Sequence, residues 1–169
     1  DSIRTFATTG AHSAVGIAVS NAATGAASSG TNLIANNMIS RVSANANSND
    51  ITCGIMIGNQ IGATTQIYNN TVNMNAAGFA TNTTSTLALY VAGSGVIPSI
   101  DLKNNILSTS TSLGSGNNFV IGLQVQGNVG NYANFLSDNN DLFVKAGNGF
   151  FNSIGVVGTG ASPSIIPGT

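Results

Sequence analysis

The stretch Leu33-Ile34-Ala35-Asn36-Asn37-Met38-Ile39 decides how this chain is read: an apolar, strand-like run broken by an Asn-Asn pair and then resumed. It returns as Gln66-Ile67-Tyr68-Asn69-Asn70-Thr71-Val72, as Asp101-Leu102-Lys103-Asn104-Asn105-Ile106-Leu107 and as Leu136-Ser137-Asp138-Asn139-Asn140-Asp141-Leu142. The first Asn of each pair falls at 36, 69, 104 and 139, giving spacings of 33, 35 and 35. Self-similarity at such a period predicts a solenoid, in which each unit buries its apolar face only by stacking on the next.

The Asn-Asn unit has a companion strand upstream: Gly16-Ile17-Ala18-Val19, Gly54-Ile55-Met56-Ile57, Ala88-Leu89-Tyr90-Val91 and Gly122-Leu123-Gln124-Val125, spaced 38, 34 and 34. Each repeat then reads as this first strand, a variable loop, a second strand ending at the first Asn, a two-residue turn, a third strand and a second variable loop. Three short strands per repeat, each paired with its equivalent in the next, predict an all-β parallel β-helix with coils about 4.8 Å apart. A sandwich of hairpins fits less well. Hairpin partners need complementary columns, and the segments 43–51, 75–86 and 108–119 lack two-residue hairpin turns. The expected layout is one domain with a partial coil over 1–13, repeats over 14–51, 52–86, 87–119 and 120–153, and a partial coil over 154–169.

Period-two alternation predicts which columns face inward. Ile34, Ile67, Leu102 and Ser137 stand two places before the first Asn, and Ile39, Val72, Leu107 and Leu142 three places after it. Both sets are apolar in all but one case and are assigned to the core. Ala35, Tyr68, Lys103 and Asp138 have nothing in common and are assigned to solvent. Continuing the alternation forward places Asn36, Asn69, Asn104 and Asn139 inward at the bend. A buried amide without partners costs about 1–3 kcal/mol, and a stack of identical Asn side chains removes that cost.

Composition narrows the function classes. There are four basic and five acidic residues in 169, with all five acids Asp, whereas a typical domain is about one-quarter charged. A net charge of −1 with scattered basic residues offers no field for nucleic acid. The apolar runs are too short to span a bilayer, so membrane insertion is not expected. Cys53 is alone and sits beside an apparent core strand, which reads as a small structural residue.

The Asn-Asn-x-apolar units following Gly-Ile-x-Val strands, with Ile100-Asp101-Leu102-Lys103-Asn104-Asn105-Ile106 and Ser137-Asp138-Asn139-Asn140-Asp141-Leu142-Phe143, resemble the right-handed parallel β-helix repeats of large secreted proteins of Bacteroidetes-type bacteria. The resemblance spans about Ile3 to Ser153. It implies a right-handed solenoid of about four full coils and an extracellular or cell-surface location, which suits an Asn/Ser/Thr-rich surface. It does not imply an activity, since such solenoids carry lyases, hydrolases, adhesins and spacers alike.

The two ends match the repeat. Residues 1–6 precede Gly16 much as 38–42 precede Gly54, and Ser162-Pro163-Ser164-Ile165-Ile166 resembles Ile97-Pro98-Ser99-Ile100-Asp101. A solenoid end is a row of unpaired strand edges. The expectation is head-to-tail stacking, with Asp1, Ser2, Ile3, Ile165, Ile166, Gly168 and Thr169 at the junction, or a piece cut from a longer solenoid.

Chemistry finds little to work with. Asp138, Asp141 and Lys145 around the last Asn-Asn pair form the one local charged constellation, and an exposed turn explains them without catalysis. His12 is the sole His, so a triad would have no alternative base and a His-rich metal centre cannot be built, and no cofactor is expected. Tyr68, Tyr90 and Tyr132 are candidates for saccharide stacking, and Asn69 and Asn82 fit the glycosylation acceptor pattern. The reading is a non-enzymatic structural module of an extracellular fibre or surface protein. The alternative is a carbohydrate-binding or carbohydrate-active β-helix, or an adhesin.

Overall fold

A computed structural model describes residues 2–11, 13–20, 30–45, 52–58, 62–75, 85–94, 99–110, 117–126, 134–145, 152–158 and 163–166. Short runs rich in β-branched residues form the strands, as their packing on a pleated surface favours. In chain order these are β1 (Ser2–Ala11), β2 (Ala14–Ser20), β3 (Gly30–Ala35), β4 (Met38–Asn45), β5 (Thr52–Gly58), β6 (Ala63–Tyr68), β7 (Thr71–Met74) and β8 (Thr86–Ser94). They continue as β9 (Ser99–Lys103), β10 (Ile106–Thr109), β11 (Asn118–Gln126), β12 (Phe135–Asp138), β13 (Asp141–Val144), β14 (Asn152–Gly158) and β15 (Pro163–Ile166).

These strands stack into three sheets. Sheet A has the order β1-β4-β7-β10-β13, sheet B β15-β14-β11-β8-β5-β2, and sheet C β12-β9-β6-β3. Successive strands of the chain visit B, C and A in turn, so each strand pairs with its equivalent one coil away. The fold is a right-handed parallel β-helix. Pairing is parallel throughout the described strands except at one place, where β15 lies antiparallel on β14.

The facing columns come out as alternation dictates. Ile34, Ile67 and Leu102 are buried, as are Ile39, Val72 and Leu107. The fourth coil is more open: Ser137 is exposed and Leu142 half-buried. Ala35, Tyr68 and Lys103 are half-buried on the outer face of sheet C, and Asp138 is exposed there.

Two expectations need correction. The fourth copy of the first strand was aligned at Gly122, yet the register pairs Ile121 with Leu89 and Gly122 with Tyr90, two residues away from that alignment. A two-residue slip preserves which side chains face inward, so alternation alone could not detect it. The second correction concerns Pro163–Ile166, expected from its likeness to 98–101 to begin another sheet C strand. It instead pairs Ile165 with Val156 and Ile166 with Gly155 in sheet B.

Sheet B shows why glycine stands third in β2 and in β5. The pairing skips Gly16 and Gly54 themselves, although Val15 pairs with Cys53 and Ile17 with Ile55. A Cβ on Gly16 would come within 2.6 Å of Gly54 O and 2.8 Å of Ile39 Cγ2. On Gly54 it would run into Val72 Cγ1 and approach Ala88 O to 2.9 Å. Ala88 and Val120 occupy the equivalent places in the next two coils and are buried in the core. Position by position, the side chain grows along the stack.

A second, smaller apolar cluster joins Cys53, Leu87 and Phe119 with Val15, Met56 and Tyr90. Val15, Cys53, Leu87 and Phe119 form one register column of sheet B. Burial pushes the Cys53 thiol far above its ordinary range, so it remains a protonated packing residue.

Candidate functional site

The Asn-Asn turn joins sheet C to sheet A in all four coils, and its two residues have different tasks. Asn36, Asn69, Asn104 and Asn139 adopt left-handed backbone, with φ of 58°, 55°, 55° and 53°. Asn tolerates this region better than other residues with a Cβ. All four are exposed. The expectation that they form the buried ladder is therefore overturned. One left-handed residue bends the chain, and alternation carried forward from the second strand does not survive the bend.

The ladder belongs to the second Asn of each pair. Asn37 donates its backbone N–H and its Nδ2–H to Asn70 Oδ1, each at 3.0 Å. Asn70 repeats this toward Asn105 Oδ1 at 2.9 and 3.0 Å, and Asn105 toward Asn140 Oδ1 at 2.9 Å for both bonds. The side-chain amides also donate to strand carbonyls, Asn70 to Ile34 O at 2.9 Å and Asn105 to Ile67 O at 2.8 Å. Asn70 and Asn105 are each 1% exposed, and these bonds satisfy their polar atoms. Alternation counted backward from Ile39 would have found Asn37, since the two are two residues apart.

The ladder is directional. Every Asn-to-Asn bond runs one way, from a donor in one coil to the side-chain oxygen of the coil after it, while the amides of Asn70 and Asn105 also donate back to a carbonyl of the coil before. Backbone bonds flank it in both senses: Asn69 N–H donates to Lys103 O at 3.1 Å, and Ile106 N–H to Asn70 O at 2.9 Å.

The outer face of sheet C carries a compact polar cluster. Tyr68 OH donates to Asp101 Oδ2, and Lys103 Nζ donates to the same oxygen at 3.0 Å. The ammonium also lies 5.9 Å from the centre of the Tyr68 ring. These hydrogen bonds, that from Tyr68 first, hold the Asp101 carboxyl below its ordinary range. The same contact holds the Tyr68 hydroxyl and the Lys103 ammonium above theirs. Asp101 Oδ1 is buried without a partner. Leu33 and Leu136, 62% and 59% exposed, stand in the register column of Gln66 and Asp101, one at each side.

The other candidates are placed as follows. Asp138 ends β12, Asp141 begins β13 and Lys145 follows it, all exposed. No ion pair or side-chain hydrogen bond joins them among the described residues, and Asp138 is felt by Lys103 of the previous coil. No group of three or more His, Cys, Asp or Glu able to hold a metal exists among the described residues. Tyr90 belongs to the Cys53 cluster, and burial raises its hydroxyl pKa. Ser2 and Ile3 lie in β1, and Ile165 and Ile166 in β15. Asp1, His12, Asn82, Tyr132, Gly168 and Thr169 fall outside the described residues.

Comparison with protein-family models, with curated proteins and with solved structures gives no match.

Proposed function

We propose that this chain is a non-enzymatic structural module of an extracellular fibre or cell-surface protein, whose coils stack head to tail on those of a second copy. The observation that carries this reading is the state of the fourth coil. Ile100 and Leu102 in β9 are 1% and 0% exposed, whereas their register partners in β12, Phe135 and Ser137, are half-buried and exposed. A further coil laid on β12 and β13 buries these edges just as β9 and β10 are buried. Open parallel edges are natural templates for more strand, and an end-to-end contact that does not close into a ring builds a fibre. Sedimentation velocity and electron microscopy over a wide concentration range test this. Linear oligomers that lengthen with concentration are expected; a monomer at every concentration overturns it.

A second reading draws on the sheet C exterior. Leu33, Gln66, Tyr68, Asp101 and Leu136 form an outward surface of mixed apolar and hydrogen-bonding character, the combination that suits a saccharide. Glycan binding lost on Tyr68→Ala with the fold unchanged would favour it.

A further inference from the structure

Sheet A begins one strand before the first full turn, with β1, and sheet B runs one strand past the last, with β14, so each has one parallel strand more than sheet C. The chain then takes one strand from each of B, C and A in every turn, down to β11, β12 and β13. β14 returns to sheet B on β11, so the next strand is due in sheet C on the edge of β12. β15 does not go there. It folds back on β14, the one antiparallel pairing among the described strands.

Two features show that β15 is suited to the other place. Pro163-Ser164-Ile165 repeats Pro98-Ser99-Ile100, whose last two residues open β9. The connector from β14 to β15 is four residues, 159–162, the same length as the connectors 59–62 and 95–98 that carry β5 to β6 and β8 to β9. One connector length thus serves both a hairpin and a solenoid crossover.

Laid parallel on β12 in the register of β9, Ile165 would stand over Phe135, in the inward column of Thr65 and Ile100. Ile166 would stand over Leu136, which is 59% exposed. Both are apolar partners for apolar side chains that now lack full cover. The present position has a cost for stacking: β15 occupies the edge of β14, where β2 of a second copy would pair.

We propose that β15 is a displaceable edge strand: in the free chain it guards β14, and when a second copy docks β1 on β13 and β2 on β14, it transfers to β12 and completes sheet C. The partner is another copy of this chain, and the inference rests on the self-association proposed above. The guard disfavours premature pairing at the β14 edge, while the transfer makes the junction a continuous coil built from two chains. No covalent step is involved.

The test uses the full chain with a removable lock. Val157 and Ser164 are register partners across β14 and β15. Val157→Cys with Ser164→Cys, in a Cys53→Ala background, permits a disulfide that holds β15 on β14. Circular dichroism under oxidising and reducing conditions establishes that both forms keep the same fold. The oxidised protein is expected to stay monomeric in light scattering, and reduction to restore assembly. A chain lacking 163–169 is also expected to lose extended assembly, because nothing then completes sheet C. Oxidised protein assembling as fast as reduced protein, or the shortened chain assembling faster than the full one, overturns the transfer and leaves self-association standing. A full chain that stays monomeric under reducing conditions at all concentrations overturns both.

Discussion

Asn70 Oδ1 receives two hydrogen bonds from one residue, the backbone N–H and the side-chain Nδ2–H of Asn37, both at 3.0 Å. This fork binds a turn of one coil to the turn of the next through a single acceptor atom. It also separates the two asparagines of each pair: the first sets backbone direction and the second holds coils together.

The separation predicts opposite responses to glycine. Asn69→Gly keeps left-handed backbone accessible and should leave stability within a few tenths of a kcal/mol, whereas Asn69→Ala should lose about 1–2 kcal/mol through strain. Asn70→Gly removes the fork on one side and its own side-chain donations to Asn105 and Ile34 on the other, leaving only the backbone N–H to Asn105, and should lose at least about 1–3 kcal/mol. Urea unfolding midpoints of the three variants check the order.

Two glycines of sheet B should behave differently when replaced by alanine. At Gly54 the new methyl would meet Val72 Cγ1 and Ala88 O, so a loss of about 1–3 kcal/mol is expected from overpacking. At Gly155 the nearest such atom is Ile121 O at 4.0 Å, and φ does not lie in the left-handed region. Gly155→Ala should therefore be neutral or stabilising by about 0.4–1 kcal/mol, through a less flexible unfolded chain. Denaturant titration of the pair decides it.

Thr109 Oγ1 is buried with no hydrogen-bond partner. Thr109→Val keeps the shape and removes an unsatisfied hydroxyl, so a gain of about 1 kcal/mol is expected. A lower melting temperature for the valine variant would contradict this.

The Tyr68–Asp101–Lys103 cluster predicts a pH dependence of definite sign. Asp101 has a lowered pKa in the folded chain, so its contribution is present above the ordinary carboxyl value of 3.8 and is lost as pH falls through the depressed one. Tyr68 and Lys103 have raised values, so their contributions are present below the ordinary 10.0 and 10.5 and are lost as pH rises through the elevated ones. Solvent screening keeps these effects small. Unfolding free energies of wild type and Asp101→Asn should converge in acid and differ most near neutrality.

Much of the fold was legible because the period, the facing and the turn all repeat. Ile34, Ile67 and Leu102 identified themselves by position relative to Asn-Asn alone. The ladder residue was missed by one place, since a single left-handed residue resets the alternation and the count was carried across it from the wrong side. The register at Gly122 was missed because two residues is the period of a strand, leaving facing unchanged. The Tyr68–Asp101–Lys103 cluster spans two coils and is invisible without the 33-residue register between Tyr68 and Asp101. β15 was misplaced because its likeness to 98–101 describes a place it can occupy, and the sequence does not rank that place against the edge of β14.

The growing side chains at Gly16, Gly54, Ala88 and Val120 have a consequence for folding. Near-identical repeats suffer from translational degeneracy: a coil can pair one step away from its proper neighbour and still form every backbone bond. Here the inner position enlarges from glycine to valine, while the outer column passes from Val15 and Cys53 to Leu87 and Phe119. A coil shifted by one step would drive a methyl into the carbonyl that Gly54 accommodates, or leave a gap where Phe119 belongs. Graded size gives each coil an address, and the solenoid can count its own turns.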